Sequence, residues 1–233
     1  MLLTTARLWF KLYLPLLSIA DSVGSGSIVE AFYALLLAVS AFWLGACPFS
    51  VWVGQRFLGK DIRDYGDGNP GAANVFRAGG RKSFYLALIL DVAKGVPFVF
   101  LAYSLWGFPE IVVMVVGLSA ILGHAFSPLL GFKGGKAIAV TLGVLFALPQ
   151  HEILFAFLTF LLIGFLFIER DAWIVMLGAV GSLAYLVATK GSSGESLFML
   201  CVLTILAVKH FDSLKTMPKS KVRLLAWIQS RRR

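Results

Sequence analysis

Apolar runs of bilayer-crossing length alternate with short polar stretches along almost the whole chain. They fall at about 31–53, 83–106, 109–130, 137–149, 152–168, 172–189 and 196–211. A helix needs roughly 17–25 mostly apolar residues to cross hydrocarbon, and helices satisfy their own backbone groups there. The pattern therefore predicts an all-α membrane protein of seven transmembrane helices. The run at 137–149 is short and is expected to tilt or lean on its neighbours. Residues 2–20 are apolar but carry Arg7, Lys11 and Pro15, which suits an interfacial amphipathic helix. A signal-like segment is the other reading of this stretch, although no small-residue cleavage site stands out before Asp21. The chain divides into an N-terminal extension (1–28), a membrane domain (29–213) and a basic tail (214–233).

Composition agrees: 59% of the 233 residues are hydrophobic, above the roughly 45–50% of soluble domains. A net charge of +9 raises the question of nucleic acid. The positive residues, however, sit between apolar runs and at the C-terminus rather than on one soluble face, so membrane orientation explains them and no nucleic-acid partner is expected. The 54–82 loop holds Arg56, Lys60, Arg63, Arg77, Arg81 and Lys82; later loops on the same side hold Lys133, Lys136 and Arg170; the opposite side has Lys190. This bias predicts a cytoplasmic C-terminus, cytoplasmic-face glycine-rich loops, and a tail attracted to anionic membrane lipids. Cys47 and Cys201 both lie inside apolar runs, so neither a disulfide nor a metal framework is implied.

Three polar clusters remain, and the predicted topology puts all of them on one face. The first is Gly66-Asp67-Gly68-Asn69-Pro70-Gly71-Ala72-Ala73-Asn74-Val75-Phe76-Arg77. Its turn formers can aim backbone amides at an anion, and Arg77 offers a planar fork for phosphate; an ordinary loop would use the same residues. The second joins Gly123-His124 to Phe132-Lys133-Gly134-Gly135-Lys136. Free amides at Gly134 and Gly135, flanked by two lysines at a helix start, would cradle a phosphate; orientation of the chain would explain the lysines equally. Ala137 stands where a Walker loop needs Ser or Thr. His124 lies roughly 10 Å from Gly131 at helical rise, and lacks a partner at metal-ligand spacing. The third cluster is Lys209-His210-Phe211-Asp212-Ser213. Within the second span, Asp91 and Lys94 share a helix face and read as a structural ion pair.

The ordered set Gly68-Asn69-Pro70-Gly71 with Asn74 and Arg77, Asp91 with Lys94-Gly95, Gly123-His124 and Phe132-Lys133-Gly134-Gly135-Lys136 resembles the acyl-phosphate-dependent glycerol-3-phosphate acyltransferases of bacterial phospholipid synthesis. The resemblance covers about residues 31–213. It implies a multi-pass enzyme of the bacterial inner membrane that moves an acyl group from acyl phosphate to the sn-1 hydroxyl of glycerol 3-phosphate, giving lysophosphatidic acid and phosphate. It implies no metal, no cofactor and no acyl-enzyme. Its catalytic positions fall on Arg77, Lys136, Asp67, His210 and Ser213, and its substrate contacts on Gly68, Asn69, Gly71, Asn74, His124, Lys133, Gly134 and Gly135.

Four positions depart from the family pattern: Ala46 and Asp67 replace serines, Ala73 a threonine and Ser213 an asparagine. Asp67 is expected to pair with Arg77 or a nearby lysine, to act as a base, or to have weakened the reaction. Two other functions remain compatible with the residues, a small transporter for an anionic metabolite and an inactive paralogue with a changed substrate.

Overall fold

The structure, a computed structural model, describes residues 26–218, and all of its regular elements are helical. The interfacial helix expected over 1–28 and most of the 214–233 tail lie outside the described residues. Helix α1 (Gly26–Ala46) and helix α2 (Phe49–Leu58) occupy the first predicted span. The break falls at Cys47-Pro48 because proline has no N–H to continue the helical ladder. A single 3-10 turn (Ile62–Asp64), the short α3 (Ala72–Arg77) and α4 (Arg81–Ala93) follow. Pro97 opens α5 (Pro97–Phe100), which runs into one π turn at Leu101–Leu105. Then come α6 (Glu110–Ala125), a 3-10 turn (Pro128–Leu130), α7 (Ile138–Ala147), α8 (His151–Phe167), α9 (Asp171–Lys190) and α10 (Gly194–Leu214).

Five helical stretches among the described residues are long and apolar enough to cross a membrane: Ile28–Leu58, Arg81–Leu105, Glu110–Leu130, Asp171–Lys190 and Gly194–Leu214. The other two predicted spans are the shorter α7 and α8. At 10 residues α7 rises only about 15 Å, half of the roughly 30 Å hydrocarbon core. One of its ends must therefore open inside the protein, where irregular backbone is tolerated if it is buried or lines a cavity.

Close backbone approach fixes the bundle. Helix α1 packs along α6, and a Cβ on Gly123 would strike the Phe42 carbonyl while one on Gly45 would strike the Ala120 carbonyl. Small residues at such crossings supply van der Waals contact where apolar lipid removes the hydrophobic drive. Helix α6 also packs on α10, and its buried residues Val116, Ala120 and Ile121 sit in a core with Val144, Leu145, Phe198 and Leu206. The segment between α2 and α4 has a smaller core of its own, in which Val51, Val53, Ile62, Val75 and Ala87 are buried. That core turns a polar loop into a folded platform against α2 and α4.

Candidate active site

The first wall of the site is the 59–80 platform. Asp61 caps the 3-10 turn, its carboxylate accepting from the Arg63 N–H at 2.9 Å, and Lys60 Nζ donates to the Ala78 carbonyl at 2.9 Å. The buried Asn74 then locks the glycine-rich turn. Its Nδ2 donates to the Asn69 carbonyl at 2.9 Å and to Asp67 Oδ1 at 3.0 Å, while its Oδ1 accepts from Arg77 Nη1 at 2.7 Å. Arg77, on the last turn of α3, therefore faces the same space as Asp67.

Asp67 pairs across the site with Lys136: Nζ lies 2.7 Å from Oδ2, and Arg77 Nη1 stands 3.5 Å from Oδ1. Burial by itself would raise this carboxyl, but the Lys136 hydrogen bond and charge, helped by the Asn69 amide and Asn74, hold it at about 2. It is an ionised, paired carboxylate.

The second wall is the loop between α6 and α7. Helix α6 ends at Ala125, so the chain doubles back instead of rising from His124 to Gly131 as a continued helix would. The turn at Pro128–Leu130 is pinned where Ser127 Oγ donates to the Ala46 carbonyl at 2.6 Å, at the α1–α2 break. Phe132 and Ala137 both have positive φ, 63° and 64°. Non-glycine residues pay for this conformation with strain that surrounding contacts must hold in place. One such contact corrects the expected cradle: the Gly135 N–H donates to the His124 carbonyl at 3.0 Å, so that amide is not available to an anion. A second is Lys209 Nζ, which reaches from α10 to the Gly134 carbonyl at 2.9 Å. The His124 ring lies directly against Gly135 and leaves no room for a side chain there.

The floor is a buried polar network. Lys94 Nζ lies 2.8 Å from Asp91 Oδ1, with both side chains almost wholly enclosed. Lys94 also donates to the Cys47 carbonyl at 2.9 Å, and Ser50 Oγ donates to Asp91 Oδ2 at 2.5 Å. The pair thus satisfies a carbonyl freed by the Pro48 break and ties α4 to α2. On the far wall His210 is buried on α10, its Nδ1 2.8 Å from the Leu206 carbonyl. A carbonyl only accepts, so Nδ1 carries the proton and Nε2 is left as an acceptor. Nε2 has no hydrogen-bond partner among the described residues.

These walls enclose two adjoining cavities. The inner, of about 250 Å³, is lined by Asp67, Asn69, Gly71, Arg77, Asp91, His124, Lys136 and His210, with apolar sides from Phe84, Leu88 and Leu142. The starts of α3 and α7 also open onto it through Ala72, Ala73, Ile138 and Ala139, and neither helix has a side-chain cap. Uncapped first-turn amides carry partial positive charge. The outer cavity, of about 670 Å³, is lined by Gly68, Lys133, Gly134, Lys209 and Ser213 together with Asp67, Asn69 and Lys136. Of the residues picked out in sequence, Asn74, Gly135 and Lys94 stand behind the lining as supports. Ser50 and Asp171 were missed, and Ser127 figured only as part of the stretch that runs on from Gly123-His124. Ser50, just after the α1–α2 break, donates to Asp91 on α4, Ser127 donates to the Ala46 carbonyl at that break, and Asp171, at the start of α9, lines the inner cavity. Lys209 was noted only as part of a cluster. Its neighbour His210 was the available signal.

A site with several cations, two helix starts and an apolar flank suits an amphiphilic anion, and comparisons with known proteins are consistent with this. The family model described as glycerol-3-phosphate acyltransferase matches residues 35–219. A glycerol-3-phosphate acyltransferase of Jannaschia sp. (strain CCS1) is 34% identical over 186 residues, covering 80% of this chain and 90% of that one. One from Neisseria gonorrhoeae (strain NCCP11945) is 39% identical over 167 residues, covering 70% and 78%. The crystal structure of an integral membrane glycerol 3-phosphate acyltransferase in its glycerol 3-phosphate form superposes with a TM-score of 0.70 at 28% identity, over 83% of this chain and 98% of that one. Its lysophosphatidic acid form gives 0.68, also at 28% identity, over 78% and 90%. On the extent of these matches, the chain belongs to the family of integral membrane glycerol-3-phosphate acyltransferases.

Proposed function

We propose that this acyltransferase takes its acyl group from an acyl phosphate and passes it to the sn-1 hydroxyl of glycerol 3-phosphate, at the cytoplasmic face of a bacterial inner membrane. The hydroxyl oxygen attacks the acyl carbonyl carbon, the acyl carbon–phosphate oxygen bond breaks, and phosphate leaves with the electron pair. The hydroxyl proton passes to a phosphate oxygen. The products are lysophosphatidic acid and inorganic phosphate.

The observation that carries this reading is the convergence of Arg77 and Lys136 on one anion at the mouth of a cavity with apolar sides. Both proposed substrates are phosphorylated, and a paired cationic site brings them together while offsetting charge on the departing phosphate. Lys133 and Lys209 add positive charge on the outer side. His210 lines the inner cavity, and its Nε2, an acceptor without a hydrogen-bond partner among the described residues, is suited to orient the attacking hydroxyl. Phe84, Leu88 and Leu142 offer a surface for an acyl chain. The lysine and arginine bias of the loops supports the cytoplasmic placement.

Purified protein given acyl phosphate and glycerol 3-phosphate should release lysophosphatidic acid, and acyl-CoA should not replace the donor. Equal or faster transfer from acyl-CoA overturns the choice of donor. No product from either donor favours the inactive paralogue, whose polar substitutions at Asp67, Ala73 and Ser213 fall on or beside the two cavities.

A further inference from the structure

Asp67 stands between the two cavities. Both are walled by Asp67, Asn69 and Lys136, so the Asp67–Lys136 ion pair forms part of the partition. The donors gathered on this carboxylate are those a phosphate would need. Lys136 Nζ donates to Oδ2 at 2.7 Å; Asn74 Nδ2 and the Asn69 N–H donate to Oδ1 at 3.0 and 3.3 Å; Arg77 Nη1 lies 3.5 Å from the same oxygen. Two oxygens of one anion are thus held by two cations and two amides.

We infer that the Asp67 carboxylate is an internal competitor that occupies the phosphate position of the empty site, and that a phosphorylated substrate binds by displacing it from Lys136 and Arg77. The inference rests on the acyltransferase reading for the identity of that substrate. Three features make displacement feasible. Asp67 is ionised whenever the enzyme works, its carboxyl being held at about 2. It is 40% exposed, so release returns it to water instead of stranding it. Gly66 and Gly68 flank it, both at positive φ (61° and 71°), so neither chain neighbour brings a side chain of its own that must move with it.

The exchange makes Asp67 a specificity-determining residue. A monoanion trades one charge for one and gains little against a carboxylate tethered at high local concentration. A phosphate dianion brings twice the charge to Lys136 and Arg77 and so wins the exchange. Release of Asp67 also takes one of the shared walls from between the inner cavity, with His210, and the outer one, with Lys209.

Inorganic phosphate titrated into the full chain by calorimetry tests this at a pH where phosphate is a dianion. Asp67→Asn keeps the shape and removes the charge; Asp67→Ser supplies the family residue. Both variants should bind phosphate about fivefold more tightly than the natural chain, the upper worth of a partly exposed ion pair. Adding Lys136→Ala to Asp67→Asn should abolish that gain. The KM for glycerol 3-phosphate should fall by a similar factor in both single variants. Thermal melting identifies any variant that fails to fold, and the other then decides. Equal or weaker phosphate binding in the folded variants overturns the inference and makes Asp67 part of the binding wall. Tighter phosphate binding without lysophosphatidic acid from any of the proteins upholds the competitor and rejects the acyltransferase reading. Transfer with unchanged phosphate affinity does the reverse.

Discussion

Replacing Lys94 by alanine probes the buried floor of the site. Lys94 neutralises Asp91 at 2.8 Å and caps the Cys47 carbonyl at 2.9 Å, with its own side chain 1% exposed and that of Asp91 3%. Its removal strands a carboxylate that keeps only the Ser50 hydroxyl as a donor. Breaking a buried pair from one side costs about 3–5 kcal/mol. That lowers the folded-to-unfolded ratio by roughly two to three and a half decades. The double variant Asp91→Leu with Lys94→Met removes both charges and leaves one smaller deficit, the Ser50 hydroxyl, worth about 1–3 kcal/mol, since the Cys47 carbonyl still accepts from the Phe49 N–H at 3.0 Å. The double variant should therefore be more stable than Lys94→Ala alone, although more atoms have changed. Unfolding of the detergent-solubilised protein by increasing mole fraction of SDS, followed by far-ultraviolet circular dichroism, measures all three. A loss under about 1 kcal/mol for Lys94→Ala, or a double variant no more stable than Lys94→Ala, refutes the argument that these charges are mutually compensated.

Arg77→Ala and Lys136→Ala should each lower acyl transfer by about tenfold or more, the worth of a charge-assisted hydrogen bond of roughly 1.5–3 kcal/mol, with expression and melting little changed. Near-normal rates in both would restrict them to chain orientation. Single cysteines placed in the 54–82 loop and just after Phe211 should resist an impermeant thiol reagent in intact cells, and strong labelling at either reverses the topology. Acid dependence has a defined sign: the folded Asp67 carboxyl sits at about 2 against an ordinary 3.8, so its pairing stabilises the protein fully above the ordinary value and is lost as pH falls toward 2. The stability difference between the natural chain and Asp67→Asn should accordingly be flat from about pH 5 to 8; a slope there would point to another titrating group.

Much of the helical frame was legible because hydropathy integrates over many residues, and an apolar run long enough to cross a bilayer has few alternatives. The internal limits of the runs were less so. The stretch 31–53 stays apolar through Pro48, so a period-based reading passes over the break that separates α1 from α2. Helices α7 and α8 were predicted as spans on hydropathy, yet they are shorter than the other five stretches. The glycine-rich turns and Arg77 were visible as local chemistry. What they face was not, because the partners are remote: Asp67 and Lys136 are 69 residues apart, Lys209 and Gly134 are 75, and Ser127 and Ala46 are 81. Pairing of Asp67 with a cation could be named as an option from its basic neighbours, but the choice of Lys136 depends on how α7 meets the platform. The Gly135 amide shows the opposite hazard, since its local pattern offered an anion site and a tertiary contact with His124 engages it.

The reach of Lys209 from α10 to the Gly134 carbonyl has a consequence for biogenesis. The ribosome makes the two residues in the order Gly134, then Lys209, 75 residues later. At about 5–20 residues per second the later one follows the earlier by roughly 4–15 s. Throughout that interval the nascent chain holds Asp67, Arg77 and Lys136 but lacks α10, which brings Lys209 and His210, so the lining of the two cavities is completed only when α10 is in place. A chain released early, short of α10, would keep most of its hydrophobic mass and yet lack the α10 residues that wall both cavities.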